Sequence, residues 1–172
     1  MLKWLGCILI LSSSAAIGMY CSMQVKSRLQ LLRSLKKSLI LLRGDITYAG
    51  SSLPESIGGL GRDADDAVGR CFSWIGTCLT GFDKRPMSAI WEEGCERELE
   101  QTSLDREEIR RFKTLGRNLE NGDRKQQIDK LSLYLEQLEL SIGENEADCK
   151  NKTKVYNTLG IAIGLMTVIV LI

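Results

Sequence analysis

The stretch VKSRLQLLRSLKKSLILLRGDI, residues 25–46, decides how the middle of this chain folds. Its apolar residues recur in steps of three and four, which places them along one side of a helix. The stripe consists of Val25, Leu29, Leu32, Leu35, Leu39, Leu42 and Ile46. We expect the helix to end near 49–51, where Ala-Gly-Ser precedes Leu53-Pro54 and a new turn can start.

Both ends of the chain are free of charge. No charged residue occurs in WLGCILILSSSAAIGMYCSMQV, residues 4–25, or in VYNTLGIAIGLMTVIVLI, residues 155–172. As helices they would be roughly 33 Å and roughly 27 Å long, and the hydrocarbon core of a membrane is about 30 Å thick. The sequence therefore predicts a transmembrane helix at each end. The first span is expected to continue directly into the helix of residues 25–46.

A cleaved signal peptide is the alternative for the N-terminal stretch. Lys3 would supply its charge, residues 5–11 its apolar core and residues 14–16 a weak cleavage site. The apolar run continues to Tyr20 and Met23, which favours a spanning helix.

The basic residues predict the orientation. All 22 acidic residues, and every basic residue except Lys3, lie between the two stretches. The inner flanks, residues 26–43 and 150–154, are rich in lysine and arginine, as is typical of the cytoplasmic side. We therefore expect residues 26–154 to be cytoplasmic and both termini to lie outside. The basic start can also contact anionic lipid head groups, but the middle segment is neutral overall, which argues against nucleic-acid binding.

Helical spacing continues through the middle segment. Further stripes are Ala64, Val68, Cys71, Ile75, Cys78 and Phe82; Met87, Ile90, Trp91, Cys95 and Leu99; Ile109, Phe112, Leu115 and Leu119; and Ile128, Leu131, Leu135, Leu138 and Ile142. They predict an all-α fold, a five- to six-helix cytoplasmic bundle flanked by N- and C-terminal transmembrane helices. The regular last stripe also fits a coiled-coil dimer.

Glycine, proline and capping residues predict the helix boundaries. We expect a flexible break at residues 58–61 and a helix start near 102–104 that ends at 121–122. Pro86 suits the first turn of a helix, and Asp123 with Gln126 resembles a capping box.

No residues form a recognisable catalytic constellation. The chain has no histidine, which is the commonest general acid–base residue, and the glycines near residue 60 lack the Lys-Ser/Thr ending of a phosphate loop. Cys71 and Cys78 lie on one helix face, and no cysteine pair has the spacing of a zinc site. We predict no enzyme activity, no cofactor and no metal.

Two carboxylate clusters are the candidate interaction residues. They are Asp63, Asp65 and Asp66, and Glu92, Glu93, Glu96, Glu98 and Glu100. Asp63 is expected at a helix N-terminus, which negative charge stabilises. The glutamates can be a solvated helix face, an acidic docking surface for a basic partner, or, less simply, metal ligands. Glu92, Glu93 and Glu96 are the candidate partner-binding residues.

Small residues at four-residue spacing mark both predicted spans. Ser14 and Gly18 form one such pair, and Gly160 and Gly164 form the other. This spacing lets membrane helices approach closely, although glycine is common in such helices. The pairs are candidates for packing of the two spans on each other or on a partner's span.

The order of several short motifs resembles the stage III sporulation protein AB family of endospore-forming bacteria. The motifs extend over the whole chain. They are Met1-Leu2-Lys3, residues 39–48, Leu53-Pro54-Glu55, Trp91, Leu115-Gly116, Leu119, Gly122-Asp123, residues 126–128, Lys154, Tyr156, Leu159-Gly160, Gly164-Leu165 and Leu171-Ile172.

The resemblance implies a function that periodicity and charge do not. The chain would be a subunit of an assembly that links mother cell and forespore across their paired membranes. Its soluble domain would be similar to the cytoplasmic domain of the platform protein (protein F) of type II secretion systems. Its partners would be the ATPase-like AA subunit, other membrane subunits and membrane lipid. A membrane-anchored signalling or regulatory adaptor is the alternative function.

Overall fold

The structure, a computed structural model, describes residues 2–61, 66–81 and 84–171, with side chains at 20, 23–61, 66–81, 84–147 and 158. These residues form six α-helices, one π-helical turn and no strand, so the predicted all-α class is confirmed. The elements are α1 (Leu2–Gly44), the π-turn (Asp45–Ala49), α2 (Leu53–Leu60), α3 (Ala67–Thr80), α4 (Met87–Leu99), α5 (Arg106–Glu120) and α6 (Arg124–Leu171).

The chain divides into two compact units. One contains Met1–Leu29 and Gly143–Ile172, and the other, here called the central unit, contains Gln30–Ile142. Among the residues that the structure describes, no helix is both long and apolar enough to cross a membrane. The predicted spans, 4–25 and 155–172, fall mostly on residues whose side chains lie outside that description, so they stay predictions. The same holds for the small-residue pairs of Ser14, Gly18, Gly160 and Gly164.

The first helix follows its predicted stripe. Leu32, Leu39 and Leu42 are fully buried, and a π-turn ends the helix at Ala49, inside the predicted boundary. Gly50 follows with φ +70°, a left-handed conformation in which glycine has no steric penalty. The Arg124 side chain donates hydrogen bonds to the carbonyl oxygens of Ile46 and Thr47, at 2.7 and 2.9 Å. The end of α1 is thereby held against the start of α6.

Within the central unit, α1 and α6 are antiparallel neighbours. Lys36 pairs with Glu139 at 2.9 Å, and the Arg43 side chain donates to the Ser132 hydroxyl at 3.3 Å. As the residue number rises along α1, that of its contact on α6 falls. In the last predicted stripe, Ile128 is half-buried, and the other four residues are buried inside this unit; they are Leu131, Leu135, Leu138 and Ile142. That burial favours packing within the chain over the coiled-coil dimer.

The predicted flexible break at residues 58–61 is wrong. Gly58 and Gly59 lie inside α2. A Cβ atom on Gly76 of α3 would lie 2.6 Å from the Gly58 Cα, and one on Gly61 would lie 2.3 Å from the Ser73 Cα. These distances are far below van der Waals contact. Gly61 and Gly76 are therefore needed where the backbones of α2 and α3 approach closely.

The other predicted boundaries hold with small shifts. Helix α3 is capped by Asp66, whose carboxylate accepts from the Gly69 N–H at 2.8 Å, whereas Asp63 and Asp65 lie outside the described residues. Helix α4 begins directly after Pro86. The start predicted near 102–104 is shifted slightly, because a capping box on Asp105 starts α5 at Arg106. Asp123 caps α6 as predicted, accepting from the Gln126 N–H at 2.8 Å.

Three rings form the centre of the bundle. Phe72 of α3 meets Trp91 of α4 edge to face with ring centroids 5.8 Å apart, and Trp91 lies 5.0 Å from Phe112 of α5. All three side chains are buried. The Trp91 indole N–H donates to the Phe112 carbonyl oxygen at 3.0 Å, so the one polar atom of the ring is satisfied. A Cβ on Gly116 would lie 2.3 Å from the ring, so α5 approaches it closely.

Candidate partner-binding surface

Ion pairs join the exposed faces of α4 and α5. Glu92 pairs with Arg117 at 2.8 Å, and the Lys113 ammonium bridges Glu96 and Glu100 at 2.9 and 3.2 Å. The pairs form because the two helices are antiparallel and each presents one sign of charge at its exposed edge. The cations on this side of α5 follow helical spacing; they are Arg106, Arg110, Lys113 and Arg117.

The structure gives each predicted docking glutamate a basic neighbour. Glu92 and Glu96 pair with α5, and Glu93 pairs with Arg85 in the segment before α4. Their side chains are 36–52% exposed, so a partner can reach them, but it meets a surface of mixed charge and not an acidic one. Docking through these three residues stays a prediction.

Two pKa shifts follow from this pairing. The hydrogen bond from Arg117 lowers the pKa of Glu92. Burial of Lys113 disfavours its charged form, yet the hydrogen bonds to Glu96 and Glu100 outweigh that penalty and raise its pKa. Glu92 and Lys113 are therefore charged near neutral pH, and their ion pairs hold them on the neighbouring helix face.

An open groove of about 520 Å³ lies along α4 and α5. The ion-paired Glu92, Lys113 and Arg117 form part of its wall, and Leu104 and Ile109 supply apolar surface. Leu104 and Ile109 are buried, and the groove presents both apolar surface and paired charges.

A second groove, here called the α5–α6 groove, has a different character. It encloses about 260 Å³. Three cations line it, Arg110 and Arg111 from α5 and Lys130 from α6, and no carboxylate is among the described residues of its wall. Leu133 and Tyr134 provide apolar surface. Sequence reasoning did not find this groove, because its two sides come from different helices.

One carboxylate serves both arginines of the α5–α6 groove. Glu107 accepts from the Nε and Nη2 atoms of Arg110 at 2.8 and 2.6 Å, and from the Nε of Arg111 at 3.1 Å. Hydrogen bonds from Arg110 and then Arg111 lower the pKa of Glu107 to about 2. Glu107 is thus ionised at neutral pH, and the arginines exceed it by one charge.

Two buried thiols from different helices meet in the core. Cys71 of α3 and Cys95 of α4 are both fully buried, and the Cys71 thiol together with burial raises the pKa of Cys95. Cys95 is therefore a neutral thiol with little nucleophilic character. Among the described residues, no three potential ligands form a metal cluster; Cys7, Cys21 and Cys149 lie outside the described side chains.

The fold and these surfaces define an all-α helical bundle, whose outer faces carry grooves and charge and whose interior carries the aromatic core. The chain belongs to the stage III sporulation protein AB family, whose model matches residues 3–172. This confirms the family resemblance of the sequence and gives the chain a role in sporulation.

A solved structure described as stage III sporulation protein AB (SpoIIIAB) has the same fold. It is 23% identical to this chain, with a TM-score of 0.65, and the match covers 72% of this chain and 97% of that structure. A comparison with curated proteins found no match.

Proposed function

We propose that this chain is a non-enzymatic membrane platform subunit of a sporulation complex that joins mother cell and forespore. The family match carries the proposal, because it runs from residue 3 to residue 172 and so includes both charge-free stretches as well as the central unit. In this proposal the chain lies in the mother-cell membrane around the forespore. Residues 4–25 and 155–172 cross that membrane, and residues 26–154 face the cytoplasm.

The central unit would dock a cytoplasmic ATPase, the ATPase-like AA subunit of the same complex. Its exposed surface supports docking, since α4 and α5 hold charged side chains in fixed positions and a partner can pair with them at little entropic cost. Glu92, Glu93 and Glu96 are the proposed contacts on α4. A partner that binds there would place cations against Glu93 and Glu96 and an acid near Arg117.

Co-purification from cells that express both proteins tests the docking. Tagged full-length chain should capture the ATPase-like subunit from detergent extracts, and the triple variant Glu92→Gln, Glu93→Gln, Glu96→Gln should capture several-fold less. Matched substitutions of Glu55, Glu120 and Glu144 remove equal charge elsewhere and should leave capture unchanged. Absence of capture by the folded wild-type chain would remove the platform function.

Cysteine labelling tests the membrane placement. Single cysteines introduced at Ser52 and Asn121 should react with a membrane-impermeant maleimide only after the cells are opened. Reaction in intact cells would contradict a cytoplasmic central unit.

The small-residue pairs would let the spans associate. Gly164→Leu should reduce association in a membrane-insertion dimerisation assay, because the added side chain separates the helix backbones. Unchanged association would show that Gly160 and Gly164 are not contact residues.

A further inference from the structure

We propose that the α5–α6 groove binds an acidic, partly apolar segment of a partner protein. The inference rests on the proposed function, because it assigns a contact through which a docked partner is held. It adds a site of opposite charge to the glutamates of α4.

Arg111 and Lys130 of the groove have N–H donors that are not used in the hydrogen bonds that the structure describes. A guanidinium group carries five N–H donors, and Arg111 uses one of them on Glu107, at 3.1 Å. Lys130 donates to the Asn118 carbonyl oxygen at 2.5 Å and has two further donors. An incoming carboxylate could therefore pair with Arg111 and Lys130 without breaking an existing bond. A carboxylate at Arg110 would compete with Glu107.

The wall of the groove selects for a peptide with apolar side chains. Leu133 is 58% exposed and lies beside Tyr134 in the wall. About 260 Å³ of space suits a few side chains, so the ligand is a segment of a protein and not a whole domain. Covering Leu133 with an apolar side chain would remove both surfaces from water.

A protein segment fits better than an anionic lipid surface or a nucleic acid. Both of those present a dense array of negative charge, which would also approach Glu107, the carboxylate bound to both arginines, and neither presents an apolar group at its charged surface to cover Leu133. A peptide can place carboxylates at Arg111 and Lys130 and an apolar residue between them. The combination of separated cations and one exposed leucine therefore points to a protein.

Fluorescence anisotropy with a defined peptide tests the proposal. The probe is a fluorescein-labelled peptide of alternating glutamate and leucine, titrated with the full-length chain in neutral detergent. The groove variant, Arg110→Gln with Arg111→Gln and Lys130→Gln, should bind about tenfold more weakly, as expected for the loss of several exposed charge pairs. The control variant changes Lys37, Lys84 and Lys125 to Gln, which are exposed and outside the groove, and should bind within about twofold of wild type. Equal weakening by both variants would overturn the proposal.

A substitution that should strengthen peptide binding distinguishes an effect on binding from damage to the fold. Glu107→Gln removes the competing carboxylate from both arginines, so it should strengthen peptide binding by about threefold, through a gain of similar size to one exposed ion pair. Damage to the fold would weaken binding for Glu107→Gln as well. Weaker binding by this variant with an unchanged circular dichroism spectrum therefore counts against the groove.

Competition and capture distinguish the remaining outcomes. Vesicles of phosphatidylglycerol or a polynucleotide that bind the groove in place of the peptide would overturn the protein ligand. Full capture of the ATPase-like subunit by the groove variant would overturn the groove and leave the platform function intact. Absence of capture by wild type would overturn the platform function, whereas groove-dependent peptide binding in the same preparation would still support the groove.

Discussion

Two regions of the central unit bury apolar surface in different ways. Around Trp91, three helices meet through ring contacts and through glycines so close that a Cβ on Gly94 or Gly116 would collide with a side chain. Between α1 and α6, buried leucine stripes lie within the unit and polar pairs at the surface join the two helices. A shape-matched contact tolerates less change than a stripe of similar aliphatic residues. The two regions should therefore respond differently to substitution.

The largest effect is expected from Trp91→Ala. The ring is fully buried and contacts Phe72 and Phe112, so its removal leaves a cavity and should lower the free energy of unfolding by about 4 kcal/mol. Denaturant unfolding of the full chain, followed by circular dichroism, measures this. Leu135→Val, in the α6 stripe, should lose only about 1 kcal/mol. Similar losses for both would contradict the contrast between the regions.

Gly116→Ala is expected to have the next largest effect. Its Cβ would lie 2.3 Å from the Trp91 Cγ. A collision this close places the overpacking cost in the upper part of its usual range, about 2–3 kcal/mol, which exceeds the roughly 1 kcal/mol that alanine gains over glycine in a helix. We expect a net loss of about 1–2 kcal/mol in the same unfolding experiment.

Two controls sharpen the glycine prediction. Gly59 of α2 has open space at the Cβ position, so Gly59→Ala should stabilise by about 0.5–1 kcal/mol. In a Trp91→Ala background the collision is absent, and Gly116→Ala should no longer destabilise. If Gly116→Ala were equally harmful in both backgrounds, the ring would not be the cause.

The smallest effect is expected at the polar edge of the α1–α6 pair. Arg124→Ala removes the bonds to the Ile46 and Thr47 carbonyl oxygens and should cost about 1 kcal/mol. Lys36→Ala removes an ion pair whose acidic partner, Glu139, is 69% exposed and should cost less than about 0.5 kcal/mol. Unfolding midpoints of the two variants give the comparison. An equal cost would mean that the backbone carbonyls gain nothing from Arg124.

Periodicity predicted the helices because apolar side chains that recur every three or four residues lie on one face of a helix. It predicted the buried stripe of α1, and the capping residues predicted the boundaries at Asn121 and Asp123. It failed at residues 58–61, because glycine has no side chain to follow a pattern, and a glycine required for close packing, such as Gly61, looks the same in the sequence as a flexible one. Only the partner backbone of α3 distinguishes the two.

The sequence predicted only that part of the candidate partner-binding surface whose charged residues are close together along the chain. The glutamates of α4 stood out as a cluster, but their partners on α5 lie 17 to 25 residues further along the chain. The spacing of residues within one helix does not show that Lys113 forms an ion pair with Glu96. The α5–α6 groove likewise depends on how two helices are paired, which a single sequence does not specify.

The bonds between the end of α1 and the start of α6 also bear on the order of synthesis. Arg124 and Thr47 are 77 positions apart, and Arg43 and Ser132 are 89 apart. During translation the first helix therefore emerges long before the helix that completes its contacts. The leucines of α1 stay exposed until α6 is synthesised. During that interval the nascent chain has an apolar surface to which chaperones or the membrane can bind.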